Sequence, residues 1–206
     1  MSISANDIEL LYKISRKQLP NRNVLSIGNH GISFLRIPPI IAQNFPEKSK
    51  IWNKRIKQLR GHEEHFELLK EILLTFDYES YSDMDQNPNA VINIDLSDSI
   101  ILTEVENNFS EYGVVINNGT LDYVGNIIKA YKFVLSLVSI GGYIISTTDC
   151  NSFNRFPTLP SPEFLVDIHD YMGFECDYLK LVDGHNRPFK NYKLNYLRKH
   201  TYLFEQ

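Results

Sequence analysis

Short apolar runs that suit buried β-strands alternate with stretches of helical periodicity along most of the chain. Five runs are predicted as strands: 23–28, Tyr78–Met84, Ala90–Leu96, Tyr112–Gly119 and YIISTT at 143–148. The last is a continuous apolar run, as expected for a parallel strand that is buried on both faces. This alternation predicts an α/β protein with a doubly wound, mostly parallel sheet.

Helical segments are predicted between these strands from apolar residues spaced three and four apart. They cover 6–18, Phe66–Thr75, Thr120–Ile140 and 161–172. The last contains Pro162 near its start, and proline suits the first position of a helix.

The connection between the first two predicted strands is longer than one crossover helix requires. Its helical pattern is interrupted at Pro38, Pro39 and Pro46, and proline breaks a helix because it lacks an N–H and clashes with the preceding turn. We therefore expect a helical insertion around 38–62, within a single domain that covers residues 1–206.

Charge and cysteine content exclude several classes of protein. The chain of 206 residues has a formal net charge of −4, and acidic residues surround its densest basic stretch, 48–60. Nucleic-acid-binding proteins usually present a basic face, so no nucleic-acid partner is expected. Cys150 and Cys176 lie far apart in the sequence, which argues against a disulfide scaffold or a zinc ribbon.

The hydropathy of the chain bears on its location. No apolar stretch is long enough to span a bilayer, and the N-terminal residues lack the apolar core of a signal peptide. We therefore expect a cytoplasmic protein with no membrane partner. The sequence leaves a homodimer open.

Glycines and polar residues follow the predicted strands at the points where the strands end. They are Gly28 to Gly31, Asp85 and Gln86, Asp95 and Leu96, Asn117 to Thr120, and Thr147 to Asp149. Ligands of doubly wound sheets bind beyond the carboxyl ends of the strands, and glycine allows a ligand to approach the backbone closely. A ligand-binding loop and an ordinary tight turn both remain open for Gly28 at this point.

Four motifs, in this order, resemble those of class I S-adenosylmethionine-dependent methyltransferases. They are VLSIGNHG at 24–31, the acid of YSDMD at 81–85, NIDLSDSI at 93–100, and YGVVINNGTLDYVGN at 112–126 followed by LVSIGGYIISTT at 137–148. The likeness is greatest to small bacterial methyltransferase-like proteins of glycan and secondary-metabolite gene clusters. It implies a seven-stranded, Rossmann-like sheet in which FECDYLKLV (174–182) and KHTYLFEQ (199–206) form a C-terminal antiparallel hairpin.

The resemblance also implies S-adenosylmethionine as the cofactor and a set of residues that would bind it. That set is Ser26, Gly28, Asn29, His30, Gly31, Asp85, Gln86, Asp95, Leu96, Asn117, Asn118 and Gly119. Asp85, or Asp83 as the competing choice, would accept hydrogen bonds from the ribose hydroxyls, because an ionised carboxylate only accepts. Asp95 and Leu96 would contact the adenine. Ser26 stands where the family often carries an acid.

The implied activity is methyl transfer to a small-molecule or glycan-linked acceptor. Asp122 and Tyr123 stand where relatives carry Glu-His, so they are the catalytic candidates; Asp122 would take a proton or orient the acceptor. A methyl transfer can also proceed through proximity and orientation alone. The missing histidine and the altered glycine loop motivate an alternative, a catalytically inactive binding or partner protein. Asn154 and Arg155 are candidates for acceptor binding, with an ordinary surface role for Arg155 left open.

The remaining histidines do not predict a metal site. His62 and His65 lie three residues apart on one predicted helix face, but zinc needs at least one further ligand, so no metal is expected. His169 is predicted to lie on the surface of the last helix.

Overall fold

The structure of the chain is a computed structural model that describes residues 2–28, 31–98, 111–149, 162–182 and 199–205. The helices are α1 (Ala5–Ile14), α2 (Pro39–Asn44), α3 (Pro46–Ile56), α4 (His62–Thr75), α5 (Ile127–Ser136) and α6 (Pro162–Tyr171). The strands are β1 (Ser2–Ile3), β2 (Asn23–Ile27), β3 (Gly31–Ile32), β4 (Ser80–Asp85), β5 (Ile92–Asn93), β6 (Tyr112–Asn118), β7 (Val138–Asp149), β8 (Glu175–Val182) and β9 (Lys199–Glu205). None of the helices within these ranges is long and apolar enough to cross a membrane.

Seven of the described strands form one sheet in the order β5-β4-β2-β6-β7-β9-β8. The first five pair in parallel, and β9 pairs antiparallel with both β7 and β8. The predicted α/β class with a mostly parallel sheet is therefore confirmed. β1 and β3 form a separate parallel pair, which places the N-terminal segment beside the loop that follows β2.

Alternating residues of the central strands face two apolar cores. Val24 belongs to the core beneath α1, α3 and α4, whereas Leu25 belongs to the core beneath α5 and α6. Successive side chains of a strand point to opposite faces, so strands covered by helices on both sides are apolar at consecutive positions. Helices therefore cover both faces of the sheet.

Helices α2 and α3 lie in the stretch predicted as a helical insertion, each with a proline in its first turn. Trp52 of α3 is fully buried and donates from its indole Nε1 to Glu71 Oε1 of α4, at 2.8 Å. Arg55 also contacts the Glu71 carboxylate. These contacts fix α3 against α4, whose N-terminus lies at the edge of the sheet where β4 ends.

The predicted helix Thr120–Ile140 is wrong in its extent. Leu121–Tyr123 forms a short 3-10 turn, and α5 begins only after Asn126, whose side chain accepts from the Lys129 N–H. β7 already begins at Val138, so the two following glycines lie inside a strand instead of preceding it. A register shift separates the Tyr112–Val138 and Val114–Tyr143 pairs, and Gly141 has a φ of 78° within it.

Two further expectations differ from the structure. The run Ala90–Leu96 forms a strand only at Ile92–Asn93, because β5 is an edge strand that pairs with the last two residues of β4 alone. His169 is fully buried instead of lying on the surface. Its Nδ1 donates to the Leu165 carbonyl at 2.7 Å, and its ring packs edge-on against Tyr131 and Phe174.

Candidate functional site

The carboxyl ends of β4, β2, β6 and β7 lie side by side, and most of the predicted site residues follow them. The register pairs Ile27 with Met84 and with Asn117. The positions after β2, β4 and β6 therefore meet at one edge of the sheet. This is the edge at which an open α/β sheet binds ligands.

The turn after β2 depends on glycine. Gly28 has a φ of 90°, and a Cβ at this position would lie 2.1 Å from Thr120 Oγ1. Thr120 Oγ1 donates to the Ile27 carbonyl at 2.6 Å, and the Gly28 N–H donates to the Met84 carbonyl at 2.7 Å. Backbone conformation and lack of space both require glycine here. Thr120, which the sequence places at the end of the neighbouring strand but outside the expected cofactor set, holds this turn.

Ser26 holds this turn from within the sheet. It is fully buried, and its Oγ donates to the Gly28 carbonyl at 3.3 Å. Tyr81 lies on the neighbouring strand, and burial raises the pKa of its hydroxyl. The side chain of Ser26 is thus occupied within the protein.

Accessible polar side chains lie at the ends of β4 and β5. Asp85 is half-buried, and its Oδ1 accepts from the Asn87 N–H at 3.3 Å. The exposed Gln86 donates from Nε2 to Asp95 Oδ2 at 3.0 Å, while Asp95 Oδ1 accepts from the Ser97 N–H at 2.8 Å. Leu96 is buried in the core beneath α5 and α6. The structure therefore brings Asp85, Gln86 and Asp95 together.

Asp83, the competing acid of β4, has a different environment. Its side chain is 1% exposed, and Oδ1 accepts from the Val91 N–H at 2.8 Å. Its buried Oδ2 has no hydrogen-bond partner among the described residues. Asp83 pairs with Ser26 in the sheet register, so it lies one pleat deeper than Asp85.

The two asparagines at the end of β6 make contacts within the protein. Asn117 Nδ2 donates to the Tyr131 hydroxyl at 3.2 Å, and its Oδ1 accepts from the Leu121 N–H at 3.4 Å. Asn118 Nδ2 donates to the Ser2 carbonyl and to Asp7 Oδ2. Gly119, which follows them, has a φ of 79°. These amides fix the 3-10 turn and the N-terminal segment.

Asp7 is a buried group at this edge that the sequence analysis did not predict. It is fully buried, its Oδ2 accepts from the Ser4 N–H at 2.7 Å, and the Ser4 hydroxyl in turn accepts from the Asp7 N–H. Thr147 Oγ1 on β7 donates to Asp7 Oδ1 at 3.5 Å. A Ser-x-x-Asp pattern at the start of a helix is the signal that could have identified it.

The two catalytic candidates differ in exposure. Asp122 is buried, and its Oδ2 accepts from Thr148 Oγ1 of β7 at 2.6 Å. Tyr123 is 42% exposed. The 3-10 turn therefore presents Tyr123 to solvent and fixes Asp122 against the end of the adjacent strand.

His65 connects α4 to the loop after β2. Its Nδ1 accepts from the Ile32 N–H at 3.0 Å, next to Gly31, which pairs with Ser2 of β1. Within the part of the chain that the structure describes, no three His, Cys, Asp or Glu side chains converge to hold a metal ion. Asn29, His30, Asn154 and Arg155 lie outside the described residues.

Comparisons with known proteins identify the fold. No protein-family model matches the chain, and no curated protein sequence matches it significantly. Among solved structures, it is similar to the magnesium protoporphyrin IX methyltransferase ChlM of Synechocystis PCC 6803 with bound SAH, at 10% identity and a TM-score of 0.52. That match covers 98% of this chain and 83% of the other.

Two other solved structures agree. An S-adenosylmethionine-dependent methyltransferase from Mesorhizobium loti matches at 9% identity and a TM-score of 0.50, covering 98% of both chains. TehB from Haemophilus influenzae matches at 13% identity and a TM-score of 0.52, covering 98% of this chain and 62% of TehB. The chain has the fold of the class I S-adenosylmethionine-dependent methyltransferases.

Proposed function

We propose that this chain binds S-adenosylmethionine and transfers its methyl group to a small-molecule or glycan-linked acceptor. One observation carries the proposal: half-buried carboxylates lie at the end of β4, where Asp85 is next to the turn at Gly28, and just beyond the neighbouring β5, at Asp95. Such an arrangement suits a nucleoside, whose hydroxyls and amino group donate hydrogen bonds to carboxylates.

The residues of β4 and β5 fit the nucleoside half of the cofactor. Asp85 would accept from the ribose hydroxyls, and its half-buried position keeps it within reach of a ligand. Asp95 would accept from the adenine amino group, with Gln86 orienting its carboxylate through the 3.0 Å contact. The backbone of Leu96 would complete the adenine contact, since its side chain is committed to the core.

The residues of β2 and β6 would shape the methionine half. Gly28 would set the turn that directs the loop toward the ligand, and Asn29, His30 and Gly31 would continue that loop. Ser26, Asn117 and Asn118 would act indirectly, because their side chains already contact protein groups. Gly119 would let the chain turn away from the ligand after β6.

Methyl transfer requires an aligned acceptor more than it requires covalent help from the protein. When bound, the cofactor supplies an electrophilic methyl group on sulfur. Asp122 would accept a proton from the acceptor or orient it, with Thr148 holding its carboxylate. The exposed hydroxyl of Tyr123 would position the acceptor, and Asn154 and Arg155 would contribute to its binding.

The finer features of the fold belong to the same proposal. We take β8 and β9 as the C-terminal antiparallel hairpin of a seven-stranded methyltransferase sheet, which their antiparallel pairing supports. Residues 1–206 would form one domain, with α2 and α3 as an insertion between the loop after β2 and the crossover helix α4.

Calorimetric titration with S-adenosylmethionine and S-adenosylhomocysteine tests cofactor binding. We expect Asp85→Asn to weaken binding about tenfold or more, because it replaces a charged acceptor that would serve two hydroxyls. Asp77→Asn, the same change at an exposed position after α4, is the matched control. The absence of binding to either ligand would refute the proposal.

A second candidate function is a binding protein without transferase activity. The buried, Thr148-bonded state of Asp122 favours it, because such a carboxylate is less accessible to an acceptor. Mass spectrometry of acceptor mixtures incubated with the chain and cofactor separates the two functions. Cofactor binding without methyl transfer to any acceptor would favour the binding protein, whereas transfer reduced in Asp122→Asn would identify the enzyme.

A further inference from the structure

The loop that follows β2 is short and is held at both of its ends. At its start, the Gly28 N–H donates to the Met84 carbonyl at 2.7 Å. At its end, the chain forms β3, which pairs in parallel with β1. Only residues 29 and 30 lie between these two anchors, so the position of β3 constrains the conformation of the loop.

His65, in the first turns of α4, holds the side of β3 that β1 does not reach. Its Nδ1 accepts from the Ile32 N–H at 3.0 Å. The ring lies beside Gly31, where an added Cβ would be 3.8 Å from Nδ1. The next N–H along the chain, that of Ser33, donates to the Ile3 carbonyl at 2.9 Å. Successive N–H groups of a strand point to opposite sides, so β1 and α4 hold β3 between them.

The contact between His65 and Ile32 requires an uncharged imidazole. A ring nitrogen accepts a hydrogen bond only when it carries no proton, and both nitrogens of a protonated histidine are donors. Protonation at Nδ1 would therefore set two donors against each other, and the bond to the Ile32 N–H would be lost. Histidine is the side chain that ordinarily changes its charge between about pH 5 and 8, so this contact depends on pH near neutrality.

The charged side chains on the elements around His65 are acidic. Glu64 precedes it on α4, and hydrogen bonds from the Arg60 and Gly61 N–H groups lower the pKa of its carboxyl. Asp83 of β4 lines a cavity together with Glu64, and α1, which follows β1, carries the buried Asp7. These carboxylates attract a proton to the ring, whereas the Ile32 N–H opposes it.

We propose that His65 is a positioning residue of the cofactor site, whose neutral imidazole holds the end of the loop 28–31 in the conformation that binds S-adenosylmethionine. This inference rests on the proposed function, in which that loop shapes the methionine half of the site. A loop that is fixed at both ends loses little conformational freedom on binding, whereas a loop released at one end must be ordered by the ligand. Cofactor affinity therefore falls when the contact is absent.

Calorimetric titration of the full chain with S-adenosylhomocysteine at pH 8 and pH 5.5 tests this role with two variants. His65→Asn keeps an acceptor oxygen near the position of Nδ1 but does not titrate, whereas His65→Ala removes the acceptor. At pH 8 we expect His65→Asn to bind within about twofold of the wild type and His65→Ala to bind about fivefold more weakly, as the loss of one hydrogen bond predicts. At pH 5.5 the wild type should bind about fivefold more weakly than His65→Asn.

The comparison at equal pH isolates His65, because every other titratable group, including those of the ligand, is the same in both proteins. Glu67→Ala, at an exposed position on the same helix, is the control and should bind as the wild type does. A purely structural His65 would change the free energy of unfolding in urea and leave the affinities alone. Wild-type affinity in His65→Ala at pH 8, or the same effect of pH on the wild type and His65→Asn, would overturn the proposal.

NMR of the Ile32 amide without ligand separates this inference from the proposed function. Its resonance should shift as the pH falls in the wild type, because the contact is lost, and should stay constant in His65→Asn. Ligand binding at pH 8 with a pH-independent Ile32 resonance in the wild type would overturn the role of His65 and leave the proposed function intact. No binding of S-adenosylhomocysteine to any of these proteins at pH 8 would refute the proposed function, and with it this role, even where the amide shifts.

Discussion

Two halves of one sheet edge use similar polar residues for different purposes. At the ends of β6 and β7, Asn117, Asn118, Thr147 and Thr148 are buried and contact other protein groups. At the ends of β4 and β5, Asp85, Gln86 and Asp95 are half-buried or exposed. Burial together with a protein partner marks a group that holds the fold, whereas accessibility leaves a group able to meet a ligand.

The largest expected effect is on the buried half, in Asp7→Ala. The change removes the acceptor for the Ser4 N–H and for Asn118 Nδ2, so two buried donors lose a partner and the capping box at the start of α1 loses one of its two hydrogen bonds. We expect the free energy of unfolding to fall by about 4 kcal/mol, measured by urea denaturation. Glu9→Ala on the same helix is the control. A loss no larger than that of the control would show that the network does not hold this half of the edge.

Gly28→Ala tests the turn at the border between the two halves. A methyl group would overlap Thr120 Oγ1, and the φ of 90° is unfavourable for alanine. We expect a loss of about 3 kcal/mol in stability, from overlap and backbone strain together.

Thr120→Ala separates the two causes in a double-mutant cycle. It removes the atom that Gly28→Ala would overlap, so the double variant should recover the overlap part and keep the strain part. If Gly28→Ala costs the same in both backgrounds, the contact between Gly28 and Thr120 is not what excludes a side chain.

His169, in the core beneath α5 and α6, is a further buried polar side chain with a protein partner. Burial lowers the pKa of His169 to about 4 from its ordinary value of 6.5. The unfolded chain therefore binds more protons than the folded chain between these values, and stability falls as the pH drops through this window. We expect a loss of about 2 kcal/mol between pH 7 and pH 5 from this residue.

His169→Asn provides the comparison, because asparagine can donate to the Leu165 carbonyl and does not titrate. Urea denaturation at the two pH values should show a weaker pH dependence in this variant. An identical pH dependence in both proteins would contradict a buried, neutral His169.

The smallest effect on stability is expected in the accessible half, for Asp85→Asn. Asparagine keeps an oxygen for the Asn87 N–H, so the free energy of unfolding should change by less than about 0.5 kcal/mol, while cofactor affinity falls. Thermal melting with and without S-adenosylhomocysteine measures both quantities. A large loss of stability without ligand would place Asp85 with the buried half and weaken the contrast.

Much of the framework follows from the sequence because apolar pattern and fold class are directly linked. The predicted strand 23–28 forms as β2, and Tyr112–Gly119 forms as β6 with a difference of one residue. The predicted helix Thr120–Ile140 is wrong at its end because Val138 and its neighbours would be equally apolar in a helix and in a strand. Val138 is in a strand because it pairs with Tyr112 of β6. The spacing of apolar residues along the sequence gives no information about that pairing.

The candidate site was less predictable than the framework. The sequence favours Asp85 for the ribose and leaves Asp83, two residues earlier, as the competing choice, whereas burial gives the two acids different environments. Asp7 and Thr147 are 140 residues apart in sequence, so no local pattern connects them. The sequence predicts His169 on the surface of its helix, and only the packing of its ring against Tyr131 and Phe174 shows that it is buried.

The sequence by itself determined the alternation of strands and helices and the order of residues at the strand ends, because these depend on local hydrophobicity and backbone preference. Only the tertiary structure decided which of those polar residues are committed to the protein, as Asn118 is, and which stay accessible, as Asp85 does. Burial and hydrogen-bond partners depend on residues distant in the chain, and they exist only once the sheet has brought those residues together.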